Sequence, residues 1–285
     1  LADRGARLIE QLSQPDIKWD LRNSQAVQLD NRSGYAQRLL APLLDELHDS
    51  VKAKGEKILI KQLMDWQGEY ALNSYLPTIF TEFTYQLLKA SMLDELGDEV
   101  FANLLRTRII DSALPLLSAD EKSPWWHNHQ TGAQQTRQHV VEQAWRATLE
   151  HLLLTFGSNP KNWLWSQAYT LTHKHPLGQQ SPLDSLLNIG SFSAPGGHEV
   201  PNNLSSSYSS APWNVDYGPS TRRVIDFAAP EKSEGINPVG QSGVRFDTHY
   251  ADQAKAYSKG QYFIQHLNPQ DIEQHTKNTL NLLPQ

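Results

Sequence analysis

Apolar residues recur at helical spacing through most of the first 157 positions. In "SGYAQRLLAPLLDELHDS" the residues Tyr35, Leu39, Leu40, Leu43, Leu44 and Leu47 share one side, which predicts an amphipathic helix. Pro42 falls inside that pattern and predicts a kink or a break there. "LADRGARLIEQL" reads as a helix with Leu8, Ile9 and Leu12 as its apolar side, and "EKILIKQLMDWQ" reads as another. A longer helix is predicted in "NSYLPTIFTEFTYQLLKASMLDEL", with Pro77 in its first turn and Leu76, Phe80, Phe83, Leu87 and Leu88 facing inward. Residues 98–117 repeat the pattern through Phe101, Leu104, Leu105, Ile109 and Ile110. After the polar turn "SADEKSPWWHNHQTG", "TRQHVVEQAWRATLEHLLLTFG" is helical through Val141, Trp145, Leu149 and Leu152, with Gly157 as its stop.

Beyond residue 157 proline, glycine, serine and asparagine take over, and the periodicity shortens. "TRRVIDFAA" predicts a strand that buries Val224, Ile225 and Phe227, and "GQYFI" predicts a second, shorter one. "NPQDIEQHTKNTLNLL" predicts a C-terminal helix or helical tail. The division is therefore a helical region, 1–157, followed by a strand-and-loop region, 158–285, and the fold class is α+β. One or two short strands do not make a stable sheet alone. They need a sheet formed by other sequence, so the chain reads as part of a larger fold.

Composition removes several function classes. The net charge is −6 and no lysine–arginine cluster marks a nucleic-acid face, so no nucleic-acid partner is expected. No apolar run approaches the roughly 18 residues of a membrane span. The chain contains no cysteine, which excludes disulfides, thiolate zinc sites and cysteine nucleophiles. The eight tryptophans predict a large packed core or an aromatic-lined interface.

Few residues suggest chemistry by themselves. His173 and His175 in "THKHPLG" share the spacing of His127 and His129 in "WWHNHQ". The four fit a histidine metal site if both pairs converge, or structural residues hydrogen-bonded to backbone and carboxylates. "GQSGV" at 240–244 is close to a nucleophile elbow around Ser242, but no apolar strand precedes it and no helix follows. Its glycines also suit a plain tight turn. Asp226 and Glu231 form a carboxylate pair that nothing nearby separates from a solvated strand end. Trp163 and Trp165, at alternate positions, predict a core-facing strand or the wall of a sugar groove.

The order of motifs resembles the C-terminal half of the β chain in the penicillin acylase family of N-terminal-nucleophile hydrolases. The pieces are "DRGARLIEQL", "QLDNRSGYAQRLLAPLL", "LMDWQGEYALNSYLPTIFTEF", "WLWSQAYTLTHKHPLG", "APGGHEVPNN", "GPSTRRVIDF" and "GQSGVRFDTHYADQAKAYSKGQY", spread over about 3–262. Gln67 stands where the family usually has aspartate, and Tyr257 where it has tryptophan. The resemblance implies that this chain supplies a helical lobe and returning strands to an α/β/β/α sandwich. It also implies a serine exposed by precursor cleavage, whose own α-amine acts as base, and an asparagine in the oxyanion hole. Both lie upstream, and Leu1 cannot be the nucleophile. Arg4 matches a family arginine near the active centre that orients the nucleophilic amine or the asparagine, and Arg7 in the same motif is expected to be structural.

By the same resemblance the parent protein is an amide hydrolase, penicillin amidase-like or N-acyl homoserine lactone acylase-like, with this chain inactive alone. Its expected partners are an upstream α chain, the N-terminal part of the β chain and a small acylated amide substrate. The expected location is the periplasm or outside the cell. No metal or other cofactor is expected in this chain; the resemblance allows calcium in the parent protein, on ligands mainly in the upstream parts. The alternative reading is a non-catalytic helical scaffold or binding module.

Overall fold

The structure, a computed structural model, describes residues 3–284, so Leu1 lies outside the described residues. The chain is a mixed α+β fold in which α1 (Asp3–Leu12), α2 (Leu21–Gln28), α3 (Tyr35–Ser50), α4 (Lys54–Asp65), α5 (Leu76–Leu104), α6 (Ile109–Ala119) and α7 (Arg137–Phe156) come first. Helix α3 runs through Pro42 without a break. Its buried stripe is Leu39, Leu40, Leu43, Leu44 and Leu47, and the proline lies off that stripe. The 98–117 pattern is divided: Phe101 and Leu104 belong to α5, whose helical path is interrupted at Gly97, while Ile109 and Ile110 open α6. Thr136 caps α7 by accepting the His139 N–H at 3.2 Å, and the helix stops at Gly157, φ 87°.

Helix α5 packs along α7, and α3 packs against α4, α6 and α7. Leu43, Phe83, Leu87, Leu88, Leu114 and Leu152 are completely shielded where these helices meet. Each such side chain contributes about 1.5–3 kcal/mol of burial free energy. Phe83 meets Trp145 edge-on with ring centroids 6.1 Å apart.

The second part holds α8 (Trp165–Ala168), β1 (Tyr169–His173), α9 (Leu183–Leu187), β2 (Ile189–Ser193), β3 (Trp213–Asn214), β4 (Arg222–Val224), β5 (Glu234–Ile236), α10 (Ala254–Ser258), β6 (Phe263–Ile264) and α11 (Pro269–His275). One sheet has the order β2–β1–β3, antiparallel then parallel, and the other is an antiparallel β4–β5–β6 sheet. Two expectations need correction here. Trp165 starts the short helix α8 rather than a strand, because the strand begins only at Tyr169. The strand in "TRRVIDFAA" ends at Val224, since Asp226 accepts the Ala228 N–H in a turn, so Ile225 and Phe227 point outward, Phe227 being 89% exposed.

Backbone and buried side chains tie the two parts together. Trp165 N–H donates to the Ser74 carbonyl at 2.8 Å, and Asn202 N–H to the Asp30 carbonyl at 2.8 Å. Glu82, wholly buried on α5, accepts the Ala211 N–H at 2.8 Å and the Gln86 amide at 2.7 Å. The "WQG" turn closes on α3: Ser33 N–H meets the Gly68 carbonyl, and a Cβ on Gly68 (φ 72°) would lie 2.1 Å from the Ser33 carbonyl oxygen. Only glycine fits there.

Candidate functional site

The first turn of α1 is clamped by a carboxylate. Asp3, nearly buried, accepts two bonds from the Arg38 guanidinium of α3, at 2.8 and 2.6 Å. This fork holds the start of α1 against the start of α3 and leaves Arg4 beside it. The Arg4 N–H donates to Glu199 Oε2 at 3.3 Å. Its guanidinium is exposed and makes no hydrogen bond or ion pair with the described residues. Arg7 instead turns inward and donates to Asp30 at 2.7 and 3.2 Å, with Gln11 on the same carboxylate oxygen.

Glu199 comes from the loop "APGGHEVPNN". It is a non-glycine residue at φ 54°, a left-handed conformation that carries about 1 kcal/mol or more of strain. Partial burial raises its carboxyl pKa above the usual range. The preceding His198 is buried and stacks on Tyr208 with ring centroids 4.6 Å apart. Arg108 donates to His198 Nδ1 at 3.2 Å and to Ser205 Oγ at 2.6 Å. An arginine donor at Nδ1 requires a neutral ring with its proton on Nε2. Desolvation, reinforced by the Arg108 charge, accordingly lowers the His198 pKa to about 4. The 3.9 Å approach of His198 to Asp111 is therefore not an ion pair at neutral pH.

Asp111 sits alone in the apolar run "IIDSALPLL" of α6. Tyr208 donates its hydroxyl to Asp111 Oδ1 at 2.6 Å, and Arg108 lies 3.6 Å from Oδ2. Desolvation still dominates and raises the Asp111 pKa. The hydroxyl of Tyr35, on α3, lies 3.4 Å from that of Tyr208. Burial keeps both phenols protonated, their pKa values pushed up. Asp3, Arg108, Asp111 and Glu199 thus form one cluster of charged groups around the neutral His198, drawn from the start of α1, the start of α6 with the residue before it, and one loop, with the Arg4 backbone held to it through Glu199.

The cluster borders a cavity of about 640 Å³ on its β1 side. Arg108 lies over the Tyr217 ring at 5.7 Å, and Tyr217 lines the cavity. The "THKHPLG" histidines lie along its other edge. His173 packs between Phe192 and Tyr257, and burial lowers its pKa. His175 Nδ1 accepts the Leu177 N–H at 3.1 Å and caps the turn that follows.

The remaining candidates go elsewhere. His127 contacts the Gln135 carbonyl, and His129 is exposed near Glu95. Among the described residues no group of three or more His, Asp or Glu is placed to hold a metal ion. Ser242 lies in a tight turn. Its Oγ accepts the Val244 N–H, and a Cβ on Gly240 would strike the His249 carbonyl. Asp226 and Glu231 are solvated. Trp163 and Trp165 are buried, with Trp165 stacked on Tyr169 at 4.2 Å. Gln67 accepts from Arg32 through its carbonyl and its side chain, both at 3.1 Å. Tyr257 offers its ring face to Arg222 at 4.1 Å.

Sequence reasoning did not single out Arg108, Asp111, His198 or Glu199. A lone carboxylate in an apolar helix was the one local sign, at Asp111.

Residues 2–274 match the model of the penicillin amidase family. The chain belongs to that family. It is 24% identical over 302 residues to the acyl-homoserine lactone acylase QuiP of Pseudomonas aeruginosa, covering 94% of this chain and 35% of that protein. It is 26% identical over 290 residues to the acyl-homoserine lactone acylase QuiP of Pseudomonas syringae pv. tomato, covering 94% and 34%. The chain therefore spans about a third of the length of the curated relatives it matches. A thermostable penicillin G acylase from Alcaligenes faecalis superposes with a TM-score of 0.58 at 17% identity, over 100% of this chain and 53% of that one. That likeness establishes the fold.

Proposed function

We propose that this chain is the C-terminal portion of the β chain of an amide hydrolase that cleaves acylated amides such as N-acyl homoserine lactones. The serine nucleophile, its α-amine base and the oxyanion asparagine belong to sequence upstream of Leu1. The chain's own contribution is the charged cluster. The match of residues 2–274 to the penicillin amidase family is the single observation that carries the reading, and Arg4, in the first turn of α1, offers an exposed guanidinium with no partner among the described residues. Five donors in a rigid fork orient an asparagine carbonyl, or the backbone beside the nucleophilic amine, without themselves taking part in proton transfer. Glu199, Asp3 and Arg38 fix the turn from which Arg4 projects. The periplasm or the cell exterior is the proposed location, and an upstream α chain and N-terminal β segment are the proposed partners.

The test uses the complete reading frame. Release of homoserine lactone from an N-acyl homoserine lactone, and of the amine from a penicillin, would be followed by mass spectrometry. The complete protein is expected to turn over one of these, and the 285-residue chain alone to turn over neither. Arg4→Ala is expected to lower kcat/KM about 10²-fold, and Arg4→Lys to recover only part of that. Turnover by the isolated chain would overturn the placement of the nucleophile, and full activity in Arg4→Ala would overturn the role of Arg4. The alternative reading is a non-catalytic helical scaffold or binding module. An inactive complete protein would favour it.

A further inference from the structure

Helices α5 and α7, with the turn that precedes α7, line a second cavity of about 330 Å³ in the helical region. Its floor is small and apolar, because Ala90 of α5 and Ala144 and Ala147 of α7 offer only methyl groups. Its walls are mostly carboxamides: Gln86 from α5, Asn128 and Gln130 from the turn, and Gln143 from α7. It shares no lining residue with the 640 Å³ cavity, and none of its residues belongs to the charged cluster.

Two of the four amides are held in a known orientation. Gln86 is 8% exposed, and its NH2 donates to Glu82 Oε1 at 2.7 Å and to Ser210 Oγ at 3.5 Å. Its Oε1 accepts no bond among the described residues and is not sealed in, so it opens onto the cavity. Asn128 is the converse. The Thr131 N–H can only donate, so Asn128 Oδ1 accepts it at 2.8 Å, together with the Thr131 hydroxyl at 2.8 Å. That leaves the Asn128 NH2 as its free group. One wall therefore presents a fixed acceptor and another a fixed donor. Gln130, Gln143 and Lys89 are exposed and make no side-chain hydrogen bond among the described residues. Asp94 spends one oxygen on the His129 N–H at 2.7 Å and keeps the other.

We propose that this cavity binds a saccharide, as a site separate from any hydrolytic centre. A hydroxyl donates and accepts at once, so neighbouring hydroxyls on a ring satisfy Gln86 Oε1 and the Asn128 NH2 together. The mobile amides of Gln130 and Gln143 can do the same for further hydroxyls. The C–H face of the ring lies on the alanine floor. Charged ligands fit worse. A carboxylate meets the Gln86 and Asp94 oxygens, and an ammonium meets the Asn128 donor and Lys89, while Lys89 and Asp94 offset each other. The volume lies at the small end of ligand cavities, roughly 300–1,000 Å³, which suits one or two sugar rings. The amide that carries the proposal is nine-tenths buried, and leaving its acceptor without a partner costs free energy that a bound hydroxyl recovers. The site does not depend on the acylase reading.

The test is saturation-transfer NMR on the complete protein with glucose, mannose, galactose, N-acetylglucosamine, maltose and cellobiose as probes. At least one is expected to bind with a Kd of about 1–10 mM, as befits a small, open site. Gln86→Leu removes the fixed acceptor at nearly constant size and is expected to weaken that binding tenfold or more. It also strips Glu82 of a donor, so Ala147→Phe serves as the second variant: it fills the cavity from α7, leaves the Glu82 bonds intact, and is expected to abolish binding. Absence of transfer to every probe at about 50 mM would overturn the proposal. Undiminished binding in Ala147→Phe would place the sugar elsewhere and overturn it equally. Acetamide carries the same donor and acceptor on one group, and its binding as tightly as the best sugar would overturn the saccharide class. Binding by the 285-residue chain but not by the complete protein would show that other sequence covers the cavity, which also refutes the site.

Discussion

Arg4 and Arg7 lie one helical turn apart on α1 and face different surroundings. The Arg7 guanidinium is largely buried and forks onto Asp30, with Glu10 at 2.9 Å as a second anion. Arg7→Ala leaves the Asp30 carboxylate with only neutral partners, and is expected to cost about 2–3 kcal/mol in urea unfolding. Arg4→Ala removes an exposed side chain and is expected to stay within about 0.5 kcal/mol. A large loss of stability in Arg4→Ala would mean that its effect on turnover is structural. His198 gives a pH signature. Its folded pKa of about 4 lies below the usual 6.5, so between those values the unfolded chain binds a proton that the folded chain does not. Its contribution to stability is complete above pH 6.5 and is lost as pH falls toward 4. Asp111 and Glu199 act in the opposite sense, because their pKa values are raised. The comparison with His198→Gln isolates the histidine: from pH 7 to pH 4 the parent chain should lose up to about 3 kcal/mol more than the variant. Parallel pH profiles would refute the neutral imidazole.

At the scale of elements, legibility followed contact order. Helices α3, α5 and α7 were readable because residues three and four apart face the same neighbours, and Leu39, Leu43 and Leu47 display that directly. The strand region was harder. Burial there is decided by where a ladder ends, and Ile225 and Phe227 continue an apolar run after β4 has stopped. The charged cluster was hidden for the same reason. Tyr208 reaches Asp111 across 97 positions and Arg4 reaches Glu199 across 195, and no spacing rule links residues so distant in sequence. Gly68 lies between these cases. The sequence marks a turn, but only the fold shows a backbone oxygen 2.1 Å from the missing Cβ. Gly68→Ala must push the turn away from Ser33 and adopt φ near 72°, so a loss of about 3 kcal/mol is expected. Thermal unfolding would check it, and a shift no larger than that of a surface substitution would show that the turn relaxes freely.

At the scale of the whole molecule, the distribution of apolar surface bears on what the chain needs. The helical core is well closed around Phe83, Leu87 and Leu114, which are fully shielded. The periphery is not. Phe227 is 89% exposed and Phe246 85%, and no described element covers either ring. Among the described residues both sheets have only three strands and end in unpaired edges. A soluble monomer tolerates scattered exposed leucines, but bare phenylalanines beside open strand edges favour association. The isolated chain is therefore expected to bind a hydrophobic dye and to elute from gel filtration above its monomer size. The complete protein should do neither to the same degree. Phe227→Ser with Phe246→Ser should reduce dye binding by the isolated chain while leaving its unfolding midpoint nearly unchanged, since neither ring is packed. If the isolated chain is monomeric and dye-silent, its outer strands are self-sufficient, and the expectation that other sequence completes these sheets loses its energetic basis.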